Sequence, residues 1–112
     1  MYQPLTQPYV LSIAGLDPTA GAGILADVKT MTATGSYGFA VATCLTAQTE
    51  DVCEHVQWFS IKEITTQLKP LLENYSIGVT KLGAMKDVDM AMDLIEYVLS
   101  IQPNMKFVLD PI

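Results

Sequence analysis

The stretch Ala14 to Asp27, AGLDPTAGAGILAD, sets Gly15, Gly21, Gly23 and Pro18 between an apolar run and a helical pattern, and places Asp17 and Asp27 around the break. Glycines between a strand and a helix let the backbone approach a bound molecule closely and expose amides at the positive helix end. The candidates such a turn raises are a dinucleotide or a triphosphate loop. The sequence contains neither G-x-G-x-x-G nor a glycine loop followed by G-K-[ST], so it carries no dinucleotide or triphosphate fingerprint. Gly21-Ala22-Gly23 fits ligand contact and tight strand-to-helix packing alike. Asp17, before Pro18, suits an Asx turn or a helix cap. Asp27 suits the first turns of the helix, where a carboxylate complements the macrodipole. Gln48 closes an apolar run, and its amide offers both a donor and an acceptor. That pair matches an aminopyrimidine edge; a solvent-exposed loop glutamine is the other reading.

The elements that must position these residues alternate. Tyr9 to Ala14 (YVLSIA) is a short apolar run, read as a strand buried on both faces. Ile24, Leu25, Val28 and Met31 then recur at helical spacing, and Gly35 lies where a helix-ending glycine belongs. Phe39 to Ala47 (FAVATCLTA) predicts a second buried strand, followed by a short amphipathic piece from Val52 to Phe59. Ser60 and Glu63 form a capping box ahead of an apolar stripe at Ile61, Ile64, Leu68, Leu71, Leu72 and Tyr75. Pro70 is expected to bend that helix or end its regular part. Ile77 to Leu82 predicts a third strand. Asp87 caps a third helix that Pro103 closes, and Lys106 to Asp110 predicts a fourth strand. Strand and helix in alternation predict an α/β fold: a mostly parallel sheet with crossover helices. A parallel strand is normally followed by a covering helix, and ligands bind at strand carboxyl ends. Ending at Asp110-Pro111-Ile112, the sequence reads as cut in the middle of a site.

The 112 residues, half of them hydrophobic, suffice for one domain with a real core. A net charge of −6 argues against nucleic acid or an anionic membrane as partner, without excluding a phosphorylated small molecule. Cys44, Cys53 and His55 lack the further ligands that zinc needs, so no metal site is predicted and the thiols read as free in a reducing cytoplasm. Met1 to Pro8 has neither the basic start nor the apolar core of a secretory signal, and no run is long enough to span a membrane. The expectation is a soluble cytoplasmic domain.

SIAGLDPTAGAGILADVKT, YGFAVATCLTAQT, VTKLGAM and VLDPI, in this order, closely resemble the amino-terminal half of the hydroxymethylpyrimidine/phosphomethylpyrimidine kinases of thiamine biosynthesis, members of the ribokinase-like superfamily. The resemblance runs from about Val10 to Ile112. It implies that residues 1–112 are the amino-terminal, substrate-binding part of a single ribokinase-like kinase domain. It implies transfer of the γ-phosphate of ATP, with Mg²⁺, to 4-amino-5-hydroxymethyl-2-methylpyrimidine and then to its monophosphate. Gln48 would hold the pyrimidine edge, and Gly15, Asp17, Ala22, Gly23 and Asp27 would line the substrate end of the cleft. Gly83 to Met85, with Ala84 and Met85 as contact residues, would wall the ring, and Asp110 is a candidate for the phosphate or metal side. The family's usual K-x-G-M-L reads Lys81-Leu82-Gly83-Ala84-Met85 here, which displaces the methionine of the wall by one residue. The family's glycine-threonine-glycine anion hole, its catalytic group and most of its ATP site belong to the carboxy-terminal half, so no catalytic residue is assigned and no turnover is expected of these 112 residues alone.

Two other readings compete. A pyridoxine or pyridoxal kinase shares the superfamily fold and handles a similar heteroaromatic alcohol. A non-catalytic module that binds the pyrimidine, or a fragment that folds by oligomerising, is the alternative of another class. The family commonly forms dimers, which makes a homodimer the default expectation.

Overall fold

A computed structural model of the chain describes residues 7–110. Met1–Thr6, within the Met1 to Pro8 stretch that lacks the features of a secretory signal, and Pro111 and Ile112 of the closing VLDPI, lie outside the described residues.

The elements follow one another as β1 (Tyr9–Leu16), α1 (Gly23–Ala33), β2 (Tyr37–Gln48), β3 (Cys53–Trp58), α2 (Ile61–Asn74), β4 (Val79–Leu82), α3 (Val88–Ile101) and β5 (Lys106–Leu109). They build one sheet in the order β3-β2-β1-β4-β5. β1 pairs in parallel with β2 and with β4, and β4 with β5; only β3 runs antiparallel, on β2. The expected α/β architecture, a mostly parallel sheet with crossover helices, is therefore present.

β1 sits at the centre because it is apolar on both faces, with Leu11, Ile13 and Ala14 buried. Leu11 and Ile13 join Val41 and Leu82 under α2 and α3, which contribute Ile64, Leu68, Leu72, Met90, Leu94 and Val98 to the same core. The spacing of those six residues is the helical stripe that brings each helix down on the sheet. The capping box is realised: Glu63 N–H donates to Ser60 Oγ and Ser60 N–H donates to Glu63 Oε1. Asp87 caps α3 by accepting from Met90 N–H at 2.8 Å, and Gly35 takes φ +91° just past α1.

Two elements go beyond the sequence reading. The short amphipathic piece Val52 to Phe59, not assigned to helix or strand from the sequence, folds mainly as strand β3. Its residues from Cys53 to Gln57 are all exposed, so no buried face announced it; pairing with Cys44–Gln48 of β2 makes it a strand. And α2 continues through Pro70 to Asn74. Pro70 lies on the exposed side, and so does Thr66, whose carbonyl loses its helical donor and can turn to water, while Leu68 and Leu72 hold the helix down on either side.

Where β3 has not yet begun, the outer edge of β2 is satisfied by a side chain. Gln67 of α2 accepts from Ala42 N–H at 3.0 Å and donates to Ala42 C=O at 2.9 Å. Gln67→Leu strips both partners from a partly buried backbone unit, and is expected to cost about 1–3 kcal/mol in urea unfolding. An unchanged midpoint would mean that water replaces the amide without loss.

Candidate functional site

β1 leads through α1 to β2 on one side, whereas β4 and β5 lie on the other, so the chain reverses direction beside β1. Open α/β sheets bind ligands in the crevice outside the strand ends at such a reversal. A cleft of about 270 Å³ lies there. Its floor is Ala14, Gly15 and Cys44, with Gly83 and Ala84 on the side of β4 and Asp17, Ala22 and Gly23 on the side of α1. Thr46 and Gln48 descend from β2, and Lys81 and Asp110 close the remaining edge. A larger recess of about 500 Å³ at the opposite end of the sheet is lined by residues such as Tyr75, Gln102 and Met105. There the Gln102 side chain donates to Leu72 and Tyr75 carbonyls and accepts from Ile77 N–H, which makes it a seam between helix ends.

The glycines have distinct jobs. Gly23 has φ +70°, and a Cβ there would stand 2.1 Å from the Gly15 carbonyl oxygen. Its absence lets residue 23 bridge back to Leu16, closing the loop between them. Gly15 and Gly83 shape the floor: a Cβ at 15 would meet Cys44 Sγ at 2.8 Å, and one at 83 would meet Ala14 Cβ at 2.7 Å. The result is a cleft floored and walled largely by small residues. Burial pushes the Cys44 thiol above its ordinary pKa, so it serves as apolar floor at neutral pH.

Asp17 shapes the loop from within. Its Oδ1 accepts from Thr19 N–H at 2.9 Å and from Thr19 Oγ–H at 2.8 Å, while Ala20 N–H donates to the Asp17 carbonyl at 3.0 Å. This is the Asx turn; α1 itself starts at an Ala22 cap that has no side-chain bond. The turn holds Ala20 at φ +61°, a left-handed conformation costly to an L residue. Two threonines tie the surrounding strands: Thr43 Oγ–H donates to Ala84 C=O at 2.7 Å, across the end of β1, and Thr46 Oγ–H to Leu16 C=O at 3.0 Å.

Gly15, Asp17, Ala22, Gly23, Gln48, Ala84 and Asp110 thus come together at one cleft. Two predicted residues do not. Asp27 lies beyond the first turn of α1, facing the sheet, where it binds Lys81 and Ser12. Met85 packs against the core and lines a neighbouring recess with Asp87 and Val88. Cys44, Thr46 and Lys81 are cleft residues that the sequence reading gave no role. For the first two the signal was available: residues 44, 46 and 48 alternate along one strand and so share a face. Among the described residues no three His, Cys, Asp or Glu side chains come close enough together to hold a metal ion.

The chain matches the family model described as phosphomethylpyrimidine kinase over residues 17–112. It is 39% identical over 80 residues to the hydroxymethylpyrimidine/phosphomethylpyrimidine kinase of Escherichia coli, which covers 71% of this chain and 30% of that protein. Its fold superposes on the crystal structure of phosphomethylpyrimidine kinase from Clostridium difficile with a TM-score of 0.84 and 32% identity, covering 94% of this chain and 45% of the other. It also superposes on the pyridoxal kinase of Staphylococcus aureus in complex with AMP-PCP and pyridoxal, with a TM-score of 0.80, 28% identity, and 95% and 39% coverage. The chain spans less than half the length of each of these relatives.

Two outcomes follow from the loop. Gly23→Ala combines a left-handed backbone, about 1–2 kcal/mol, with a clash against the Gly15 carbonyl. It is expected to lower the unfolding midpoint by more than the left-handed cost alone. The Thr19 amide, opposed in part by burial and helped by the Thr19 hydroxyl, holds the Asp17 carboxyl below its ordinary 3.8. A depressed carboxyl stabilises the fold above its unfolded pKa, and that contribution is lost as pH falls through the lower folded value. Urea unfolding between pH 6 and 2 is therefore expected to show a steeper acid loss below about pH 4 in the parent than in Asp17→Asn; parallel curves would refute the assignment.

Proposed function

The chain belongs to the phosphomethylpyrimidine kinase family, and from that membership we propose that the cleft is the pyrimidine-binding part of a kinase of thiamine biosynthesis. The reaction is transfer of the γ-phosphoryl group of ATP to 4-amino-5-hydroxymethyl-2-methylpyrimidine and then to its monophosphate. The observation that carries the reading is Gln48. Its half-buried side chain enters the cleft at the end of β2 without a hydrogen-bond partner among the described residues. A glutamine amide left with both functions free complements a ring that offers an amino donor beside a ring-nitrogen acceptor. The small residues Gly15, Gly83 and Ala84 leave room beside Gln48 for a ring.

Phosphoryl transfer rests on positioning and charge neutralisation more than on covalent chemistry. Within that division these residues bind and orient the alcohol. Asp110, at the cleft edge, pairs with Lys81; among the described residues no three His, Cys, Asp or Glu side chains group together, and no step is assigned to Mg²⁺ here. ATP is the donor expected of the complete enzyme; related pyridoxal kinases have been crystallised with AMP-PCP and with ADP. Pyridoxal is the second ligand to consider. It lacks the amino group beside a ring nitrogen, so the free Gln48 amide favours the pyrimidine.

Calorimetric titration of the chain with the hydroxymethylpyrimidine tests the reading, with pyridoxal as the comparison ligand. The expected result is binding that Gln48→Ala weakens at least tenfold, about 1.4 kcal/mol, with pyridoxal weaker than the pyrimidine. A folded chain that binds neither, or a Gln48→Ala variant that binds as the parent does, overturns it.

A further inference from the structure

We infer that Lys81 is a positioning residue of the cleft, which holds the Asp110 carboxylate on the cleft rim and is itself fixed from behind by Asp27 and Ser12. The inference rests on the pyrimidine-site reading for its consequence, though not for its geometry.

Lys81 Nζ lies 2.6 Å from Asp27 Oδ1 and 3.3 Å from Asp110 Oδ2. The other oxygen of Asp27 accepts from Ser12 Oγ–H at 2.7 Å, so both sides of that carboxylate are engaged. Ser12 is fully buried in β1 and stands directly across from Lys81 in the register of β1 and β4. The arrangement therefore pins one ammonium from three elements: β1 through Ser12, α1 through Asp27, and β4 through its own backbone. Asp110 follows β5, its N–H donating to Leu82 C=O at 3.0 Å, which brings its side chain beside Lys81.

The need for such a device follows from exposure. The Asp110 side chain is 55% exposed and, unpaired, would turn to solvent; Asp27, at 14%, cannot. A lysine stem has four rotatable bonds and gives no fixed direction unless its head is held. Here the buried partner supplies the anchor, and the exposed partner receives the direction. Burial alone would lower the Lys81 pKa, but the hydrogen bond and charge of Asp27, then those of Asp110, outweigh it and keep it raised. A bound ring then meets a carboxylate that is already in place and can accept a hydrogen bond from its hydroxyl or amino group. Asp27 does not touch the cleft; it acts on the ligand through Lys81.

The test uses the chain itself with Lys81→Met, Lys81→Arg and Asp27→Asn. Two readouts are taken: the Asp110 backbone and carboxyl resonances by NMR, and calorimetric titration with the hydroxymethylpyrimidine. In Lys81→Met the Asp110 signals are expected to move to those of an unrestrained aspartate, while those of Leu11, Leu68 and Leu94 stay, and affinity falls about tenfold. Asp27→Asn reproduces both changes at smaller amplitude and carries the test if Lys81→Met fails to fold. Lys81→Arg restores most of the affinity. Unchanged Asp110 signals in Lys81→Met, or in Asp27→Asn where the methionine variant is unfolded, overturn the inference. So does an Asp27→Asn variant with parental affinity. A parent chain that binds no pyrimidine removes the functional reading instead, and the Asp110 signals then decide the positioning role by themselves.

Discussion

The approach of Gly23 to the carbonyl of Gly15 is the contact on which the cleft depends. It is backbone against backbone, with no side chain between. Because of it, the chain can leave β1, turn through residues 17–22 and begin α1 without moving away from the strand it has just left. The space that remains in front of Gly15 is the floor of the cleft. Asp17 supports this contact from inside the turn, and the strained backbone at Ala20 is part of the same closure.

The two faces of the sheet are held by different forces. Under α2 and α3 the attachment is apolar and continuous, with Ile64, Leu68, Leu94 and Val98 wholly buried. α1 buries only Ile24 in that sense. What anchors it to the sheet is in part ionic, through Asp27 to Lys81 and Ser12. The helix that forms one wall of the cleft is therefore attached by the same charges that set its rim. The partly buried ion pair is weak evidence for stability and better evidence for specific placement.

Much of the fold was legible because its signals are local. Ser60 with Glu63, Asp87 before α3 and Gly35 after α1 each declare an end within four residues, and apolar runs declare β1 and β2. β3 was not legible, because its residues carry no burial pattern of their own and become a strand only on meeting β2. Pro70 does not end α2, since a missing amide on the exposed side of a well-anchored helix is tolerated. At the site, Gln48 and the glycine turn were visible as chemistry at a strand end. The partner of Asp27 was not. It lies 54 residues away, and nothing in either segment says that they share a face. The register of β1 against β4 creates that meeting, and register is a property of the assembled sheet.

That distance also makes the cleft depend on two separate strand pairings. β1, α1 and β2 supply the glycine turn, the cleft floor and Gln48. β4 must cross back over the whole of α2 to reach β1. Lys81 arrives with β4, so the charge that steadies the cleft is delivered only when the central strand gains its second neighbour. A working pocket in this molecule thus needs both neighbours of β1 in register, since the glycine turn alone supplies only one side of it.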